Sequence, residues 1–130
     1  MSIKIWVQMV LTAMLVGGCD QPKKTAPASQ DESLEVSVAA GAKLFLRNGC
    51  AVCHGETGKG DGKIAHTLKK PPRDLHDLVS YQRGPALDQI EETIRQGIGI
   101  GEGSMPGYPH IKPEDRRRMA HFIRSLQGTD

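Results

Sequence analysis

Cys50-Ala51-Val52-Cys53-His54 places two thiols three positions apart with an imidazole directly behind them. Five residues in this order read as the covalent attachment site of a c-type haem. One short turn brings both sulfurs to the two vinyl groups on the haem edge as thioethers. The same turn carries the His54 ring under the iron as proximal ligand. Three plainer readings compete: a thioredoxin-like redox pair, half of a zinc site, and a structural disulfide. A redox pair calls for flanking strands, and no run of alternating or β-branched residues surrounds it. A zinc site calls for two further Cys or His at matched spacing, and only Cys19 remains among the thiols.

Cys19 belongs to a different segment. Lys4 opens residues 1–18 with a positive charge, Ile5 to Val16 is apolar, and Val16-Gly17-Gly18 precedes the cysteine, the layout of a signal peptide. The apolar run falls short of the about 20 residues that span a bilayer. Leu15-Val16-Gly17-Gly18-Cys19 resembles the lipobox of bacterial lipoproteins, which implies Cys19 as the lipid attachment site and new N-terminus. The plainer alternatives are an ordinary secretory signal leaving a free thiol, or an uncleaved anchor. Each means export, to the compartment where bacteria attach haem c. Asp20 resembles the signal that retains lipoproteins at the inner membrane. The expected localisation is therefore a membrane-anchored lipoprotein facing the periplasm, at the inner membrane rather than the outer.

The chain of 130 residues has 17 basic and 15 acidic side chains. Residues 1–18 contain Lys4 and no acid, so the remainder carries 16 basic against 15 acidic residues, a formal +1. Such a balance argues against nucleic acid and against a polybasic membrane patch. Residues 19–36 read as a lipidated N-terminus and flexible linker, polar and proline-punctuated, with a coil reach of roughly 23 Å over 17 residues. One domain then remains, residues 37–130. About 90 residues make a marginal core. Phe45, Tyr81, Tyr108 and Phe122 are its only aromatics. A haem would fill that core.

The periodicity predicts helices and no strands. The first starts near Ser37 as N-cap, with Val38, Ala42 and Phe45 on one face and Gly49 as its stop. Gly41 inside it points to close approach by another helix. Residues 55–84 read as turns around the haem edge, with Ile64, Leu68 and Leu75 turned inward. A helix over 86–96 buries Leu87, Ile90 and Ile94, and Gly97 ends it. A glycine-rich loop then delivers Met105-Pro106. The last helix starts at Pro113 and presents Met119, Phe122, Ile123 and Leu126 to the core, with Gly128 at its end. Arg116-Arg117-Arg118 reads as a solvated face.

Together the motifs Gly41-x-x-Leu44-Phe45, Cys50-x-x-Cys53-His54-Gly55, Gly60-Asp61-Gly62, Met105-Pro106-Gly107-Tyr108 and Phe122-Ile123-Arg124-Ser125-Leu126 resemble the class I cytochromes c of small bacterial monohaem type. The resemblance covers about residues 37–127. It implies an all-α fold of three to five short helices around one covalent haem c. It also implies first and last helices crossing at Gly41 and Phe122, and Met105 as distal iron ligand. A softer argument for Met105 stands on chemistry alone: a thioether suits low-spin haem iron, and Pro106 stiffens the chain behind it. Met119, on the apolar stripe, reads as core, and His110 is the nearest rival among His66, His76, His110 and His121.

One position departs from the family pattern. Lys63 stands where small members often carry proline after the Gly-Asp-Gly turn, near the carbonyl that accepts the proximal histidine's Nδ1–H. A carbonyl of Lys63 or a neighbour is expected to serve. Arg73 and Tyr81 are the candidates for binding the haem propionates. The implied function is single-electron transfer between redox proteins on the outer side of the membrane, with neither catalysis nor a small-molecule substrate. A dedicated haem-c subunit of a larger membrane oxidoreductase is the alternative, and an open-iron enzyme or gas sensor is the third class. Lys59, Lys63, Lys69, Lys70 and Arg73 are candidates for a docking rim.

Overall fold

A computed structural model describes residues 33–128; the proposed signal peptide, Cys19 and most of the linker lie outside them. Four α-helices follow in order, α1 (Leu34–Arg47), α2 (Cys50–His54), α3 (Leu87–Gln96) and α4 (Pro113–Leu126), with 3₁₀ turns at Ala65–Thr67 and Leu78–Ser80. Among the described residues the only extended pairing is an isolated antiparallel bridge between Ile98 and Met105. No helix among them is long and apolar enough to cross a membrane.

Helix α1 starts earlier than the pattern predicts. Ser33, not Ser37, is the N-cap, its side chain accepting from Val36 N–H, so residues 34–36 form the first turn instead of the linker. Ser37 lies buried inside the helix. The inward face is accordingly Ser37, Gly41, Leu44 and Phe45, while Val38 and Ala42 sit half-buried at its edge. Packing against α4 selects this face. A Cβ at Gly41 would fall on the Arg118 carbonyl and within 2.9 Å of Phe122 Cβ, so only a hydrogen at that position lets the helices cross. One turn on, the Phe45 and Phe122 rings meet edge to face at 5.3 Å. The crossing at Gly41 and Phe122 is as the family resemblance implied.

Helix α4 begins with Pro113 at its first position and Glu114 and Asp115 in its first turn, where the missing N–H costs nothing and the charges suit the helix dipole. Met119 and Ile123 are buried, as is Ala120, which the stripe did not include. Phe122 and Leu126 are half-buried. Ile90 and Ile94 of α3 complete the centre with Ile111. The arginine run is less free than expected: Arg116 donates to the Ile111 carbonyl, Arg117 pairs with Glu91 of α3, and Arg118 with Asp115 at 3.2 Å. The Arg117–Glu91 pair, at the surface, adds little stability.

In the connection before α3, Leu75 packs on the core and Leu68 lines a cleft. Ile64 does not turn inward. Its N–H bonds the Val52 carbonyl at 3.1 Å, which holds it beside the exposed Val52.

Candidate haem site

The residues of the first motif lie on α2, a single turn entered through Gly49 in the left-handed conformation. The Gly60-Asp61-Gly62 turn folds directly onto it. Gly60 N–H donates to the His54 carbonyl at 2.8 Å and Gly62 N–H to the Cys53 carbonyl at 3.0 Å. A Cβ on Gly62 would collide with the Val52 and Cys53 carbonyls, so a glycine is required for this approach. Two motifs separate in sequence thus form one rigid support for Cys50, Cys53 and His54.

His54 is half-buried, with the Phe45 ring centred 6.4 Å from its own. With the proton on Nδ1, the ring donates to the Arg73 carbonyl at 3.2 Å, leaving the Nε2 lone pair for a metal. Burial lowers the His54 pKa below its ordinary value, partly offset by that carbonyl, and favours the neutral ligating ring. The acceptor is therefore neither Lys63 nor an adjacent residue. Arg73 lies ten positions beyond Lys63, directly after Pro71-Pro72, a rigid pair that signals an extended segment able to turn a carbonyl inward. Burial also pushes the Cys50 thiol up to about 11, so it stays protonated.

Cys50, Cys53, His54 and Met105 line one cleft of about 190 Å³. A deeper apolar pocket of about 60 Å³ continues beneath it, sharing His54, Arg73, Ile98, Met105 and Tyr108 and floored by Ile90, Ile94 and Met119. Met105 reaches both from a loop, held by the paired bonds of the bridge, Ile98 N–H to Met105 O at 2.9 Å and Met105 N–H to Ile98 O at 3.0 Å. Met119 belongs to the core, with no exposed surface. Of the histidines, only His54 lines the cleft. The His110 ring lies tilted beside that of Tyr108 at 6.0 Å, and His76 Nε2 contacts the Thr57 carbonyl at 2.9 Å. Among the described residues no three Cys, His, Asp or Glu gather as a metal-ion site.

Both propionate candidates border the deeper pocket, and both polar groups already serve backbone carbonyls. The Arg73 guanidinium donates to the Ser80 carbonyl, and Tyr81 OH to the Leu75 carbonyl at 2.6 Å. The donor set fits a covalent haem: two thiols on one turn, an imidazole with its far nitrogen anchored, a thioether opposite in sequence, and apolar walls.

The cytochrome c family model matches residues 38–127. The chain belongs to the cytochrome c family. Its helices are those of the class I cytochrome c fold, and the family binds haem c covalently for electron transfer, here with a single Cys-x-x-Cys-His motif. Cytochrome c-555 of Methylococcus capsulatus is 25% identical over 117 residues, covering 80% of this chain and 90% of that protein. The cbb3-type cytochrome c oxidase subunit FixP of Azorhizobium caulinodans is 32% identical over 89 residues, 68% of this chain. The matched region spans only 27% of that subunit's length. Among solved structures, a chain of the Kuenenia stuttgartiensis reducing HAO-like protein complex Kustc0457/Kustc0458 superposes with a TM-score of 0.62 at 20% identity, over 82% of this chain and 51% of that one. At that identity the likeness is one of fold.

Proposed function

We propose that this cytochrome c is a membrane-tethered carrier of single electrons, with thioethers at Cys50 and Cys53 and iron ligated by His54 and Met105. The observation that carries the reading is the convergence of these four side chains on one apolar cleft. Haem supplies the one-electron couple when bound. The chain's part would be to hold the His54 and Met105 donors, keep His54 neutral and exclude water, an arrangement that would keep reorganisation small. With His54 and Met105 both holding the iron, no substrate would reach it. The match to cytochrome c-555 over 90% of that protein supports the reading.

Cys19 would carry the lipid, holding the domain at the outer face of the inner membrane within reach of its redox partners. Exposed Lys59, Lys63 and Lys70 would guide an acidic partner, whereas Lys69 is already paired with Glu102. The optical spectrum of the ferric holoprotein tests the ligation. The weak far-red band of methionine-ligated haem is expected, and Met105→Ala should abolish it. A covalent haem without that band, binding carbon monoxide readily when reduced, would place the protein among open-site sensors or enzymes. Cys19→Ser should release the protein from membranes.

The FixP likeness favours a second reading, a fixed haem-c subunit of an oxidoreductase complex. Co-purification of a stoichiometric partner from detergent-solubilised membranes would establish it.

A further inference from the structure

We propose that Arg83 is the positioning residue that holds the Met105 loop closed; this rests on Met105 being the distal ligand. The loop's own bonds lie at its tip, where Ser104 N–H and Oγ both donate to the Gly101 carbonyl, at 3.2 and 2.6 Å, and Glu102 pairs with Lys69 at the surface. Gly99, Gly101 and Gly103 all have positive φ, at 81°, 82° and 78°, and Ile100 at its tip is fully exposed. Glycines give such a segment much conformational freedom to lose. The position of Met105 therefore depends on the stalk, the Ile98–Met105 bridge, and on what the stalk is rooted in.

That root is the C-terminal end of α3. Gly97 N–H closes the helix on the Thr93 carbonyl at 2.8 Å, and Tyr108 N–H returns to the Ile94 carbonyl at 2.8 Å. Arg83 approaches from the preceding segment. Its Nη1 donates to the Gly97 carbonyl at 2.7 Å, and its Nη2 to Gln96 Oε1 at 3.3 Å. Gln96 is itself held by Glu92, which also takes both donors of Arg95 at 2.7 and 2.6 Å. A cation at a helix C-terminus is favourable in its own right.

The geometry gives Arg83 a more direct route to Met105. The Gly97 carbonyl and the Ile98 N–H belong to one peptide group, and that N–H donates to the Met105 carbonyl at 2.9 Å. A charged donor on the oxygen polarises the whole amide and strengthens the bond its N–H makes. Arg83, Gly97–Ile98 and Met105 thus form one hydrogen-bonded chain that ends on the ligand's own residue.

The test is imidazole binding to the ferric holoprotein, followed by loss of the far-red band. Imidazole reaches the iron only when the loop opens, so its apparent affinity scales with the open fraction. Arg83→Gln is expected to bind imidazole about tenfold more tightly, a shift of about 1.4 kcal/mol in loop closure. Arg83→Lys, with charge but one donor group, should fall between. Arg117→Gln, which breaks an exposed pair away from Gly97, is the control and should stay near wild type. Equal imidazole affinity in wild type and Arg83→Gln, or an equal gain in Arg117→Gln, would overturn the assignment. Should Arg83→Gln not assemble, wild-type affinity in Arg83→Lys would also overturn it. A wild-type protein lacking the far-red band would instead remove Met105 as ligand, and the role of Arg83 with it.

Discussion

His54 Nδ1 sits 3.2 Å from the carbonyl oxygen of Arg73, nineteen residues along the chain, while the guanidinium of that same Arg73 bonds the Ser80 carbonyl. One residue therefore orients the proximal ring with its backbone and braces the following turn with its side chain. Ser80 Oγ reinforces the arrangement, donating to the Asp74 and Asp77 carbonyls at 3.1 and 2.8 Å. This small closed unit favours the His54 tautomer with its proton on Nδ1, on a ring that is half-buried.

The first prediction concerns acid. Burial depresses the His54 pKa in the folded protein below its unfolded value of about 6.5. As pH falls below that value the unfolded chain takes up the proton first. Stability is fully present above about pH 6.5 and is lost downward through the window between the two values. Iron ligation by the neutral ring acts in the same direction. Denaturant unfolding of the holoprotein between pH 7 and 5 should show the midpoint falling, and a flat response would contradict the role given to His54.

The second prediction concerns the helix crossing. Gly41→Ala drives a methyl into the Arg118 carbonyl, so α1 and α4 must separate or α4 must shift. Overpacking of this kind costs about 1–3 kcal/mol, and the larger Gly41→Val should cost more. Thermal unfolding of the holoprotein measures both. An alanine variant as stable as wild type would mean that the helices cross elsewhere.

Much of this was legible in the sequence. The attachment turn, α3 and the start of α4 follow from spacing and terminal residues, and the crossing of α1 and α4 from the family resemblance. The beginning of α1 did not, because Ser33 and Ser37 are equally good caps and only packing at Gly41 selects the face that includes Ser37. Nor did the carbonyl that orients His54, since any backbone oxygen can accept; the rigid Pro71-Pro72 before Arg73 was the available sign. Arg83 carried no pattern at all. Its meaning comes from the Gly97 carbonyl, fourteen residues away in sequence and at bonding distance in the fold.

The third prediction concerns alkali. Tyr81 is half-buried and donates to the Leu75 carbonyl at 2.6 Å, and burial raises its pKa above the usual phenol value. The folded state therefore keeps its proton above about pH 10, where the unfolded chain gives it up. Stability from Tyr81 is complete below that pH and declines as pH rises further. Tyr81→Phe should be about 1 kcal/mol less stable at neutral pH, and the gap should narrow above pH 10. A constant gap across that range would show that the hydroxyl does not stay bonded.

The last prediction separates haem from polypeptide as the source of the core. The buried centre consists of a few residues of α1, α3 and α4 with Ile111, and the cleft between α2 and the Met105 loop is walled by side chains that face one another across it. A side-chain core this small is marginal for a domain of this length. Replacing Cys50 and Cys53 together by alanine removes both covalent bonds, so the haem would be held only by ligation and apolar contact. The doubly substituted chain should lose haem under denaturing conditions, where the wild type retains it. Freed of haem, it should unfold over a broad range without a cooperative transition. Circular dichroism during denaturant titration distinguishes the outcomes. A sharp transition in the haem-free chain would show that α1, α3 and α4 are sufficient by themselves, and that the haem adds function to a fold already complete.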